Sequence, residues 1–164
     1  MLIKMQVQVV TNTESQRAGI PSQSAVLLPC ACANLRKAAL IATQFYDGVL
    51  RPSRIRTTQF TLLQALSYAP GISQKKLAEL LGIDSTTLTR TLASLRRKGW
   101  LRSEAGTDRR ALQLSLTREG KREYKRVLPY WQSAQRRLRR ALGEENWQQM
   151  MNAAAHIAGI KLKL

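Results

Sequence analysis

Hydroxyl and guanidinium side chains recur at helical spacing between residues 85 and 97, opposite a row of leucines. If Leu88, Leu92 and Leu95 point inward, a helix turning about 100° per residue collects small and polar residues on its other side. Such side chains can donate hydrogen bonds to phosphates and base edges, and an arginine can bind guanine through two of them. The outward set is Thr86, Arg90, Ala93, Ser94 and Arg97, with Ser85, Thr87 and Thr89 beside it. This face suits a major groove.

A second group of polar residues begins the preceding helix, and Gly82 ends that helix with a turn. A helix N-terminus presents free N–H groups, which makes it suited to phosphate contacts. The residues at that end are Ser73, Gln74, Lys75 and Lys76. The apolar face of the same helix is expected to comprise Leu77, Leu80 and Leu81.

A basic loop follows between two short strands predicted at 101–104 and 112–116. An arginine at such a tip, Arg109 or Arg110, can enter a minor groove, where narrow A·T-rich tracts concentrate negative potential. Asp108 is expected to hold a neighbouring arginine, because its carboxylate would be repelled by phosphate. Together, the two helices and this loop predict a winged helix-turn-helix that binds double-stranded DNA.

The elements around this region are helical, so the expected fold is mainly α with a small β wing. Hydrophobic periodicity predicts helices near 29–49, 57–68, 73–81, 85–98, 117–142 and 144–160. We expect three regions: a flexible tail at 1–24, a winged helix-turn-helix at 57–116, and a helical dimerisation region formed by 25–56 and 117–164.

Composition supports a polyanion as partner. The 164 residues include 27 basic and 10 acidic side chains, which gives a formal charge of +17. Such an excess promotes association with nucleic acid. No apolar run approaches the roughly 20 residues of a membrane span, and the first residues lack the apolar segment of a signal peptide, so a cytoplasmic location is expected.

The sequence does not indicate an enzyme. It contains no Gly-rich phosphate loop, no pair of catalytic carboxylates with supporting residues, and no Ser/His/Asp set around its single histidine. We therefore expect no catalytic residues and no cofactor. The alternative to a sequence-specific regulator is an architectural protein that binds nucleic acid without sequence preference.

Several motifs resemble the MarR family of winged-helix transcription regulators over roughly residues 29–160. The most specific are Asp108-Arg109-Arg110 in the wing and Leu116-Thr117-Arg118-Glu119-Gly120 at the entry to the long helix. Trp100 stands where the family usually has an aliphatic residue. The resemblance implies a homodimer, a palindromic operator, and repression relieved by an effector.

Apolar stripes on the last two helices independently favour a dimer, because one winged domain cannot easily cover both. On the long helix the stripe comprises Tyr124, Val127, Leu128, Trp131, Ala134, Leu138 and Ala141. On the last helix it comprises Trp147, Met150, Met151, Ala154, Ile157 and Ala158. A two-fold dimer would place its two recognition helices about 34–36 Å apart.

Two cysteines, Cys30 and Cys32, lie at the start of the first helix. A helix N-terminus and nearby Arg36 both favour a thiolate, the form that oxidants and metals attack. This region is similar to the organic hydroperoxide resistance repressors. Cys32 matches their oxidised cysteine, and Tyr46 matches one of the tyrosines that hydrogen-bond to it. Thr57 occupies the position of their second tyrosine. Cys32 and Tyr46 lie about 21 Å apart along one helix, so they can meet only across a dimer interface.

The role of these cysteines has three readings. They can be small buried hydrophobes, since free cysteine is often buried. They can instead sense oxidation, with an organic peroxide as the signal. Alternatively, the Cys-x-Cys pairs of two subunits can bind a metal ion across a dimer. The single histidine, His156, is expected in a core or interface, so no metal site is predicted. A small aromatic effector remains a further possibility.

Overall fold

The structure is a computed structural model that describes residues 8–9, 26–27, 29–105 and 112–160. The predicted wing-tip residues Asp108, Arg109 and Arg110 lie outside the described residues, as does most of the expected tail. The chain divides into two compact units. One comprises Tyr46–Ala134, and the other combines the residues up to Phe45 with those from Gln135 onward.

Six helices and five short strands make up the described residues. The helices are α1 (Ala31–Leu50), α2 (Thr57–Tyr68), α3 (Gln74–Leu81), α4 (Ser85–Arg97), α5 (Arg118–Leu142) and α6 (Glu144–Gly159). The strands are β1 (Gln8–Val9), β2 (Val26–Leu27), β3 (Ile72–Ser73), β4 (Leu101–Ala105) and β5 (Leu112–Leu116). A 3₁₀ turn, Arg51–Ser53, follows α1. The expected mainly helical fold with a small β wing is confirmed.

The core of the Tyr46–Ala134 unit gathers on α2 and α4. Phe60, Leu63 and Leu66 on α2 are buried as the periodicity predicts. Phe60 stacks between Tyr124 and Trp131 of α5, with ring centroids 5.6 and 5.8 Å away. Aromatic packing thus holds the long helix against the winged unit.

The wing sheet has the order β3-β5-β4, and all its pairs are antiparallel. In β5, Leu114 and Leu116 are buried and Ser115 between them is only partly so, whereas Leu112 is 52% exposed. The alternation predicted for these three leucines therefore holds for the last two and is wrong for Leu112. Sequence analysis missed β3, because a pair of residues is too short to show a period. It also missed the pairing of β1 with β2.

The predicted apolar face of α3 is wrong at one position. Leu80 is 62% exposed, whereas Leu77 is fully buried and Leu81 partly so. Helix α3 has only eight residues, and it packs against α4 and the sheet on its Leu77 side. The periodicity of such a short helix does not show how wide its buried face is.

No helix among the described residues is long and apolar enough to cross a membrane.

Candidate nucleic-acid interface

Helix α4 rests on the core through a single row of leucines. Leu88, Leu92 and Leu95 are fully buried, so close packing fixes how the helix is rotated about its axis. Asp84 caps the N-terminus, and its carboxylate accepts a hydrogen bond from the Thr87 amide at 2.9 Å. The face opposite the leucines is therefore presented outward from a rigid base.

Most of the predicted outward residues are exposed. They are Ser85, Thr86, Thr87, Thr89, Arg90, Ala93 and Arg97. Ser94 differs, because it is only partly exposed and its hydroxyl accepts a hydrogen bond from Gln59 Nε2 of α2 at 3.1 Å. Ser94 thus has a structural partner in addition to its predicted role.

Helices α3 and α4 are joined by a side-chain hydrogen bond. Gln74 Nε2 donates to Thr89 Oγ1 at 2.9 Å, and that hydroxyl donates to the Ser85 carbonyl at 2.7 Å. Ser73 caps α3, as predicted, by accepting a hydrogen bond from the Lys76 amide at 3.3 Å. Gly82 ends α3 with a φ of 60°, in the left-handed region that glycine adopts without a steric penalty. The predicted contact residues of α3 and α4 therefore belong to one fixed substructure.

Asp84 is an exposed carboxylate at the N-terminus of α4, beside the predicted contact residues. Hydrogen bonds from Thr87, first from its side chain and then from its backbone amide, hold the pKa of Asp84 below its usual value. A charged carboxylate is favourable at the positive end of a helix. The local structure thus accounts for this acid without any contact to DNA.

The strands of the wing are tied to α4. Arg96 Nη2 donates to Ser103 Oγ of β4 at 3.0 Å. Arg102 and Glu104, both exposed on β4, form an ion pair at 2.9 Å. Lys98 lies 4.4 Å from the ring centre of Trp100, where its ammonium group faces the π system. These contacts set the direction in which the strands leave the helix.

Known proteins that resemble this chain are transcriptional regulators of the helix-turn-helix type. A family model described as MarR family matches residues 55–111. The uncharacterized HTH-type transcriptional regulator YwoH of Bacillus subtilis is 28% identical over 92 residues, which make up 56% of this chain and 66% of YwoH. The HTH-type transcriptional regulator SarZ of Staphylococcus aureus is 35% identical over 77 residues, 46% of this chain and 52% of SarZ. The chain thus spans between half and two thirds of the length of these relatives.

A solved structure extends the match. The transcriptional regulator MosR of M. tuberculosis, in complex with DNA, is 34% identical, with a TM-score of 0.70 over 79% of this chain and 93% of that chain. The chain belongs to the MarR family. The expectation drawn from its wing and long-helix motifs is confirmed.

The structure explains the MarR-like motif that opens α5. Thr117 donates a hydrogen bond from its hydroxyl to the Gly99 carbonyl at 2.6 Å, and its amide donates to the Trp100 carbonyl at 3.0 Å. The same hydroxyl accepts from the Gly120 amide at 3.0 Å. A Cβ at Gly120 would lie 2.1 Å from the Trp100 carbonyl oxygen. In this motif the Thr117 hydroxyl joins Gly99 to Gly120 by hydrogen bonds, and the absence of a side chain at Gly120 lets the helix lie against the Trp100 carbonyl.

Both cysteines of the chain are exposed within it, which disagrees with the reading of small hydrophobes buried inside the protomer. Arg36 Nη2 lies 3.9 Å from Cys32 Sγ, so the expected neighbour is in place. Tyr46 is partly buried, and this burial raises the pKa of its phenol. Among the described residues, no group of three or more His, Cys, Asp or Glu side chains could hold a metal ion.

Sequence reasoning missed Gln59, which supports α4 from α2 through Ser94. The two residues are far apart in sequence, and nothing in the pattern of α2 indicates such a contact. It also missed a group of arginines where α1 meets α2, since they fall outside the periodic segments.

Proposed function

We propose that this MarR-family chain is a homodimeric repressor that places α4 in the major groove of a palindromic operator. The observation that carries the proposal is the exposed hydroxyl and guanidinium face of α4, fixed on three fully buried leucines. The relative MosR was solved as a complex with DNA, which supports DNA as the partner.

Base reading and backbone binding are assigned to different residues. Arg90 and Arg97 project from α4 and can reach base edges, where arginine prefers guanine. The phosphate-binding set comprises Ser73, Gln74, Lys75, Ser85, Thr86, Thr87, Thr89 and Ser94. Arg109 or Arg110 would enter the flanking minor groove, with Asp108 as support.

The dimer interface is assigned to the apolar stripes of α5 and α6. Helix α6 has no buried residue within the described chain, and Met150, Met151 and Ile157 are 40%, 48% and 49% exposed. Isolated apolar residues are common on protein surfaces, but a contiguous row of this kind marks an interface. A second copy would cover it and supply the two-fold symmetry of the operator.

An effector relieves repression in this proposal, and Cys32 is the first candidate for the residue that senses it. Its thiol is exposed and lies beside a guanidinium. Oxidation by an organic peroxide would give a sulfenic acid, which a thiol can convert to a mixed disulfide. A small aromatic effector is the alternative signal.

The test is a gel-shift titration against the DNA upstream of this protein's own coding region. The protein is measured reduced, after cumene hydroperoxide, and after re-reduction, with Cys32→Ser beside the wild type. Loss of binding that reverses with thiol and is absent in Cys32→Ser supports the redox switch. Tight binding that is unchanged by oxidant would contradict the redox switch and favour a small aromatic effector as the signal.

Arg90→Ala tests base reading. We expect it to weaken operator binding by about fivefold to 150-fold, which corresponds to about 1–3 kcal/mol for a bidentate base contact, and to weaken binding to random DNA much less. Arg136→Ala, an equal change of charge on exposed α5, serves as control. Equal losses on both DNAs would remove the base-reading role of Arg90.

The architectural alternative makes a different prediction. A regulator should prefer its operator over random DNA by more than about 10³-fold, and salt-sensitive binding without such a preference would favour the alternative.

A further inference from the structure

An open cleft of about 420 Å³ lies where α1 ends and α2 begins. Its lining residues are Asp47, Arg51, Arg54, Ile55 and Arg56, and all belong to the Tyr46–Ala134 unit. The volume falls within the range of small-molecule sites. None of these residues belongs to the face of α4 assigned to DNA.

The charges around the cleft are unbalanced. Three guanidinium groups face one carboxylate, and Asp47 Oδ1 is already occupied by the Thr57 amide at 2.6 Å. Across the described ranges, no carboxylate forms an ion pair with Arg51, Arg54 or Arg56. The cleft therefore carries an excess of two positive charges, and no ion pair with another part of the described chain offsets it.

The wall that carries these arginines is fixed. Ser53 is buried, and its hydroxyl donates to the Leu50 carbonyl at 2.6 Å and accepts from the Ile55 amide at 3.3 Å. Arg126 of α5 donates to the Ser53 carbonyl at 2.8 Å. The guanidinium groups thus project from a braced turn, which reduces the ordering that a ligand must impose.

We propose that this cleft binds a small organic dianion, a phosphate monoester or a dicarboxylate. Arginine presents a planar fork of donors that matches both oxyanions through paired hydrogen bonds. A dianion neutralises the excess charge, whereas a DNA phosphodiester brings one charge and lies on an extended backbone. Any effect of the ligand on DNA binding rests on the proposed function, but its binding to the cleft does not.

The test is isothermal titration calorimetry of the full chain without DNA. The probes are phenyl phosphate and succinate, with benzoate as the monoanion. Binding of either dianion at least tenfold tighter than benzoate supports the proposal and identifies the preferred oxyanion. Equal affinity for all three, or no binding, overturns it.

The variant Arg54→Asn locates the site. Arg54 has a φ of 58°, and asparagine accepts this left-handed backbone, so the change removes the charge while keeping the turn. We expect at least a tenfold loss of dianion affinity, and none for Arg136→Ala, which removes the same charge elsewhere. Equal effects of the two variants would mean general attraction to a basic protein and would overturn the assignment.

Two further readouts separate the cleft from a DNA contact. Phenyl phosphate should bind more weakly at about pH 5 than at about pH 7.5, because a phosphate monoester loses its second charge near pH 6, while sulfate should not change. Arg54→Asn should shift operator DNA as wild type does. The proposal would be overturned if the wild type binds no dianion and Arg54→Asn loses affinity for DNA. If the wild type does not bind DNA, the proposed function fails but the calorimetric test of the cleft still applies.

Discussion

Single residues of this chain combine roles that the sequence presents separately. Thr117 donates to one carbonyl through its hydroxyl, accepts an amide through the same oxygen, and donates its own amide to Trp100. Gly120 lies against that same carbonyl. The resemblance identified this motif from its letters alone, but its physical reason is a contact between segments about twenty residues apart, which no local pattern contains.

Gly120→Ala should therefore be severely destabilising. The added Cβ would lie 2.1 Å from the Trp100 oxygen, and we expect a loss of about 3 kcal/mol, the upper part of the usual range for overpacking. Urea denaturation measures the change. Gly48→Ala is the control, because nothing lies within 4 Å of a Cβ built there and alanine favours a helix interior by about 0.8–1 kcal/mol. A Gly120→Ala protein as stable as wild type would contradict the close approach.

Among the elements, helices whose apolar residues repeat over several turns are predicted well from the sequence. The three leucines of α4 are all buried, and α2 spans the predicted 57–68 and ends before Pro70. The prediction that Leu80 is buried is wrong because α3 is too short for its periodicity to define the buried face. The 3₁₀ turn at Arg51–Ser53 is not predicted because three residues show no period. The hydrogen bonds from Gln59 to Ser94 and from Gln74 to Thr89 depend on how helices meet, which the sequence does not encode locally.

Arg126, which joins α5 to the 3₁₀ turn, also binds Glu123, and this pair predicts that the stability of the fold decreases at acid pH. Hydrogen bonding from Arg126 holds the pKa of Glu123 below its usual value, so ionised Glu123 stabilises the fold above its unfolded pKa. This contribution is lost as pH falls through the lower folded pKa. Glu123→Gln should reduce stability near pH 7 and make the acid limb of unfolding shallower, as measured by denaturation across pH.

Glu119→Gln provides the control, because Glu119 is an exposed carboxylate on the same helix. If both variants keep the wild-type acid limb, the hydrogen bonds between Arg126 and Glu123 contribute nothing to stability.

At the scale of the whole molecule, charge and uncovered apolar surface dominate. The formal charge of +17 would double in a dimer, so DNA affinity should fall steeply with salt as counterions are released. Composition alone indicated a polyanion as partner. It could not indicate which surface meets DNA, because that depends on packing the leucines of α4 inward.

Ile157→Asp tests the proposed dimer face on α6. A charge within a buried apolar interface costs far more than one on a free surface, so the variant should sediment as a monomer where wild type is dimeric. Asn152→Asp, on the opposite side of α6 by helical spacing, should leave the dimer intact. Dimers in both variants would place the interface elsewhere.

The anchoring of α5 at its first turn has a geometric consequence. Its first turn is clamped to Trp100, and the helix then runs 25 residues to Leu142, about 37 Å at about 1.5 Å per residue. Pro129 within the helix cannot donate the usual backbone hydrogen bond. Over a straight helix of this length, a tilt of about 5° about its first turn would carry the far end through about 3 Å.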